Sequence, residues 1–129
     1  MKITLLHPDQ VGAARAPQVG QWVSFQITVE NDEDVTHRNT RVHFNPVGPT
    51  SEMWFIKEWK PRVVAQPIPG QGLLFDVGDL APRQTFMLTI KSVAPAITRT
   101  KKYPIEIEFE SASRPREVLQ KGEITVVAR

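Results

Sequence analysis

The side chains able to do chemistry are few and poorly spaced for it. His7, His37 and His43 are the three histidines, and none stands in a His-x-x-x-His or His-Glu-x-x-His spacing that would aim two imidazoles at one metal. Ser24, Ser51, Ser92, Ser111 and Ser113 lack the Gly-x-Ser-x-Gly turn that exposes a nucleophile. There is no cysteine, hence no disulfide, thiol nucleophile or thiolate metal site. Gly70-Gln71-Gly72 follows Pro69 and reads as a turn, not as a loop that cradles phosphate. The pattern predicts a protein that is not an enzyme and carries no cofactor.

Two clusters offer binding chemistry instead. Glu30-Asn31-Asp32-Glu33-Asp34 sets four carboxylates in five residues. Hard cations want several oxygens, and Glu30, Asp32 and Asp34 are the candidate ligands of a cation loop. The spacing is not that of an EF-hand, and Asn-Asp sequences are ordinary turn chemistry, so a solvated acidic turn without metal is the simpler expectation. The second cluster, Glu52 to Pro61, holds Met53, Trp54, Phe55 and Trp59, with two of the chain's three tryptophans. With a period of two, Trp54 and Ile56 share one face while Met53, Phe55 and Lys57 share the other. One face can enter a core. The other is a candidate interface, where aromatic groups stack on sugar rings or anchor a protein partner. The competing expectation is a lateral patch of core beneath a long loop. Trp22, at the start of a strand, is expected to be boundary packing.

Charge adds little. Sixteen Lys and Arg face fourteen Asp and Glu, for a net of +2. The densest basic run, Arg99-Thr100-Lys101-Lys102, is no basic stripe, so no nucleic-acid partner is expected. Glu106, Glu108 and Glu110 form a row of like charges that reads as solvated surface, as cross-strand partners for Lys or Arg, or as an acidic interface. No segment approaches the roughly 20 apolar residues of a membrane helix.

The elements that must position these groups are strands. Val23, Phe25, Ile27 and Val29 alternate with Trp22, Ser24, Gln26, Thr28 and Glu30, the signature of a half-buried strand. Ile3 and Leu5, Val42 and Phe44, Phe86, Leu88 and Ile90, Ile105, Ile107 and Phe109, and Ile124 and Val126 repeat the pattern, with a less regular strand at 73–77. These residues, with Leu74 and Leu80, make up the expected core. Most of the eleven prolines fall between the strands, where a missing donor costs no ladder bond. No helix is predicted; at most Ser51 caps a short turn running to Trp59. About seven to eight short strands without βαβ spacing read as one all-β domain, an antiparallel sandwich.

The turn chemistry resembles a known family. Val29-Glu30-Asn31 before an acidic turn, Leu80-Ala81-Pro82-Arg83 leading into a strand, and Tyr103-Pro104 opening another are similar to the bacterial immunoglobulin-like domains of the cell-adhesion-related type, including modules appended to glycosidases. The resemblance covers residues 18–128 and implies an Ig-like β-sandwich over 18–129, preceded by an N-terminal strand or arm over 1–17. Arg83 stands where the family usually has Gly, and Lys101-Lys102 replace a Gly before Tyr103. The stretch from Pro46 to Gly72 is longer than usual.

Met1 to Pro8 is too short and too polar for a signal-peptide core, which predicts a chain kept in the cytoplasm or released in a virion by lysis. A lone Ig-like domain without active-site chemistry then reads as a structural module docking onto a larger assembly. The first expectation is a phage virion accessory protein, a capsid decoration or tail-associated protein, with its N-terminal arm along a neighbour. Its partners would be capsid or tail proteins, or copies of itself. The alternative is a carbohydrate-binding or adhesion module of a cell-surface protein, if the chain is a fragment.

Overall fold

The computed structural model describes residues 1–15, 19–49, 52–68 and 72–128. The Ser51 cap, the turn at 69–71 and the last residues of the N-terminal arm lie outside them. Among the described residues there are ten strands and no helix. They are β1 (Lys2–Leu6), β2 (Gln10–Gly12), β3 (Trp22–Glu30), β4 (His37–Pro46), β5 (Phe55–Lys60), β6 (Ala65–Pro67), β7 (Leu73–Leu80), β8 (Thr85–Val93), β9 (Lys101–Ser111) and β10 (Arg114–Val127). One sheet runs β1-β3-β8-β5 and the other β2-β10-β9-β4-β7-β6. All pairings are antiparallel except β2 with β10.

The alternation read from the sequence builds the core. Phe25, Ile27 and Val29 of β3 and Ile105, Ile107 and Phe109 of β9 are wholly buried. They face each other across the two sheets, as two half-apolar layers must. Phe25 sits where several rings meet, with Phe44 at 4.9 Å and Trp54 edge-on at 5.6 Å between centroids. Such contacts add about 0.5–1.5 kcal/mol each beyond the area they bury. Of the expected core, Leu5 and Phe86 are only partly buried and pack against its margin.

Two segments switch sheets and close the sides of the sandwich. The N-terminal segment pairs with β3 through Lys2–Leu6 and then with β10 through Gln10–Gly12. Of the strand or arm expected over 1–17, β1 and β2 are integral strands of the sandwich, and Gln120 Nε2 donates to the Ile3 carbonyl at 3.0 Å. On the other side β5 belongs to the four-stranded sheet and β6 to the six-stranded one, with a cis Lys60–Pro61 bond between them. The long Pro46–Gly72 stretch therefore supplies an edge strand to each sheet, where a short turn to Trp59 had been expected. Gly72 at φ +87° lies so close to the Phe44 carbonyl that a Cβ there would sit 1.8 Å from its oxygen.

Candidate functional site

The aromatic cluster is divided between core and surface by a β-bulge. Phe55 pairs with Val93 and Ile56 with Ser92, but the register shifts so that Glu58 pairs with Lys91 and Trp59 with Ile90. An inserted residue flips the parity of everything beyond it. Trp59 thus leaves the face of Phe55 and turns inward, its ring edge-on to Phe75 at 5.5 Å and its Nε1 donating to the Val63 carbonyl at 2.9 Å. Trp54 is only 5% exposed and packs edge-on against Phe25 and Tyr103. The two tryptophans expected at an interface are therefore core and side-closing residues. Phe55 and Met53 remain on the outside, Met53 being 41% exposed. Lys57 Nζ stands 5.8 Å from the centre of the Phe55 ring.

The exposed tryptophan is Trp22. It belongs to the outward set of β3 and is 51% exposed. Its directly opposed residue on β8 is Val93, whose partner on β5 is Phe55. Opposed residues share a face, so Trp22, Val93 and Phe55 form one row across the outside of the four-stranded sheet. Val93 is wholly buried yet lies outside the hydrophobic core cluster, as expected of a small residue flanked by two large outward neighbours. The sequence signal was present in the alternation of Trp22 with Ser24 and Gln26; its place at a strand start hid it.

The acidic loop is neutralised from within. The Met1 ammonium donates to Asp32 Oδ1 at 2.6 Å and Glu33 Oε2 at 3.0 Å. Those hydrogen bonds hold both carboxyls below their usual range, and the bond to Asp32 in turn raises the ammonium. Glu33 also faces His37 Nε2 at 3.3 Å and Arg114 at 3.5 Å. Asp34 pairs with Arg83 at 2.8 Å, and Glu30 lies opposite Lys2 in the β1–β3 register. Asp32 and Asp34 are thus engaged by separate cationic partners, and among the described residues no group of three His, Cys, Asp or Glu could hold a metal.

The histidines are also structural. His43 is buried, with Nδ1 on the Glu108 carboxylate and Leu74 opposite on β7. His37 opens β4 and meets Phe109 edge-on at 6.3 Å. His7 lies against Phe25 with the ring planes tilted at 45° and the centroids 5.9 Å apart. The Glu106, Glu108 and Glu110 row of β9 lies against β4, where Arg41 faces Glu110 and His43 faces Glu108.

The motifs of the family resemblance are joined in space. Asn31 is wholly buried, and the two hydrogens of its Nδ2 serve three carbonyls, one hydrogen being shared: Val35 at 2.8 Å, Ala81 at 3.0 Å and Leu80 at 3.1 Å. Arg83, in place of Gly, keeps the left-handed backbone at φ 66°. Tyr103 is buried beside Trp54, with Lys101 Nζ 5.4 Å from its ring centre and bound to Glu52 at 2.6 Å.

This arrangement is an immunoglobulin-like β-sandwich with an exposed tryptophan on the outer face of its four-stranded sheet. A cohesin module from a Clostridium perfringens family 33 glycoside hydrolase shares the fold at a TM-score of 0.58 and 11% identity, over 99% of this chain and 96% of that one. AvmM, which catalyses macrocyclization in alchivemycin A biosynthesis, is similar at a TM-score of 0.58 and 7% identity, over 99% of this chain and 90% of that one. At these identities the likeness is one of fold, and since one of the two proteins is a catalyst, function rests on the site. No protein-family model matches the sequence, nor does any curated protein.

Proposed function

We propose that the chain is a non-catalytic binding module that docks through the outer face of its four-stranded sheet. The observation that carries this reading is Trp22, half exposed in a row with Val93 and Phe55 where an unoccupied sheet face would place small polar groups. The engagement of His43 by Glu108 and of Asp32, Glu33 and Asp34 by cationic groups supports binding over catalysis, since each is held in a structural contact. Of the two settings, an adhesion module of a surface protein fits a fold shared with a module of a glycoside hydrolase, while a virion accessory role draws no support from that likeness.

The test is a screen of the immobilised chain against a glycan array and a random peptide display library, repeated with Trp22→Ala. A ligand that binds the wild type and not the variant, with the variant's cooperative melting transition retained, is the expected result. Failure to find any ligand sensitive to Trp22 overturns the reading.

A further inference from the structure

The outer face of the four-stranded sheet has a definite chemistry beyond its tryptophan. The strand registers place Ser24, Lys91 and Glu58 in the row next to Trp22, Val93 and Phe55. Gln26, Thr89 and Lys60 follow, with Leu6 at the β1 edge, and then Thr28 with Met87 and Thr4. The hydroxyl and amide groups of Ser24, Gln26, Thr28 and Thr89 run along the middle of the face, with the exposed apolar side chains of Leu6 and Met87 beside them. Its charges nearly balance: Lys91 Nζ lies 3.6 Å from Glu58 and Lys2 stands opposite Glu30, while Lys60 stands opposite Thr89. A shallow depression of about 90 Å³, lined by Glu58, Trp59, Lys60, Thr89 and Lys91, adjoins the aromatic row.

We propose that the ligand of this face is an uncharged, extended oligosaccharide, laid along β3 and β8 with one ring stacked on Trp22. The inference rests on the binding-module reading above. A pyranose ring presents a C–H face that suits an exposed indole, and a rim of hydroxyls that exchange hydrogen bonds with Ser24, Gln26 and Thr89. Glu58 and Lys91 supply a strong acceptor and a strong donor side by side, a pair suited to vicinal hydroxyls. From the Trp22 row to the Thr28 row the strand runs about 20 Å, enough for a short oligosaccharide. An anionic polymer would require a larger cationic excess than the single lysine by which these rows depart from balance. A protein hot spot would require an apolar pocket that excludes water, whereas the surroundings of Trp22 along the strand are polar and open.

The experiment titrates the full chain with neutral hexasaccharides of the cello-, xylo-, manno- and chito- series, following tryptophan fluorescence and heat. Saturable binding of at least one is expected, with affinity unchanged between about 0.05 and 0.5 M salt. Trp22→Ala should weaken it about tenfold or more, while Trp22→Tyr, which keeps an aromatic face, stays within about threefold of the wild type. If Trp22→Ala does not fold, Lys91→Ala with Glu58→Gln provides the second arm, with weakened binding expected. No binding of any of the four at millimolar concentration, binding indifferent to these variants, or binding only to polygalacturonate that salt abolishes, overturns the proposal. A peptide ligand that depends on Trp22 would overturn it while leaving the binding-module reading intact; no Trp22-dependent ligand of any kind would remove both.

Discussion

The Asn31 side-chain amide donates to the Leu80 carbonyl at 3.1 Å, across 49 residues of sequence. The same nitrogen reaches Val35 and Ala81, and Asn31 Oδ1 accepts from the Glu33 amide at 3.1 Å. One buried amide thus ties the turn after β3 to the turn before β8. Asn31→Ala would leave those carbonyls buried without their donor, at a cost on the order of 3 kcal/mol. Asn31→Asp should cost at least as much, because a carboxylate cannot donate and its charge would be buried. Denaturant midpoints measure both; a loss under about 0.5 kcal/mol for either would show that the two turns hold without this link.

Arg83 occupies a left-handed position at φ 66° and spans the same two turns from outside, donating to the Asp32 carbonyl at 2.6 Å and to Asp34 at 2.8 Å. The backbone conformation costs a non-glycine residue about 1 kcal/mol, and exposed contacts of this type return about as much or less. Arg83→Gly should therefore be close to neutral. Arg83→Ala, which keeps the strain and loses the contacts, should be less stable than Arg83→Gly by about 1 kcal/mol. Equal stability of the two variants would contradict the conformational argument.

The three tryptophans should separate cleanly in stability. Trp54→Ala removes a buried indole wedged between Phe25 and Tyr103 and should cost about 3–5 kcal/mol. Trp59→Ala loses the Phe75 contact and the hydrogen bond to Val63, and at a half-buried site should cost about 2 kcal/mol. Trp22→Ala should cost about 1 kcal/mol or less, the loss of cover over Val93. Chemical denaturation of the three variants gives the ranking, and a Trp22→Ala loss equal to that of Trp54→Ala would place Trp22 in the core.

Why the sequence led to Trp54 and Trp59 and away from Trp22 is a question of register. Regular alternation was legible: β3 runs over 22–30 as read, and the expected apolar faces of β8 and β9 line the core. Strands β2 and β6 are three residues each, too short to show a period, and β6 ends on Pro67. Strand β5 carries its bulge between Ile56 and Glu58, so a period of two counted from Phe55 puts Trp59 on the wrong side. Burial of Tyr103 continues the alternation of Ile105, Ile107 and Phe109, whereas burial of Val93 on the outer face depends on Trp22 and Phe55, distant in sequence, and leaves no local pattern. The resemblance to Ig-like domains supplied the turns correctly, because Asn31 and Leu80 are a matched pair whose chemistry is local at each end.

Tyr103 is the only tyrosine in the chain, which makes its ionisation directly observable. Burial, and after it the neighbouring Glu52 carboxylate, push its phenol well above the ordinary range. A group whose folded pKa lies above its unfolded one adds stability that is fully present below the unfolded value and is lost as pH rises through the folded one. From about pH 10 upward the unfolded chain therefore gains by releasing the phenolic proton while the folded chain holds it, and stability declines. Phenolate absorbance should appear only with alkaline unfolding, in one cooperative step shared with the tryptophan signal. Glu52→Gln removes the second cause and leaves burial, so the phenol should ionise somewhat earlier yet still above the ordinary range. On the acid side the sign reverses: the hydrogen bond from Lys101 holds the Glu52 carboxyl below its usual range, so its contribution is present at neutral pH and fades as pH falls through the lowered value. A phenolate transition near pH ~10 with the fold intact would show that the Tyr103 hydroxyl is open to water.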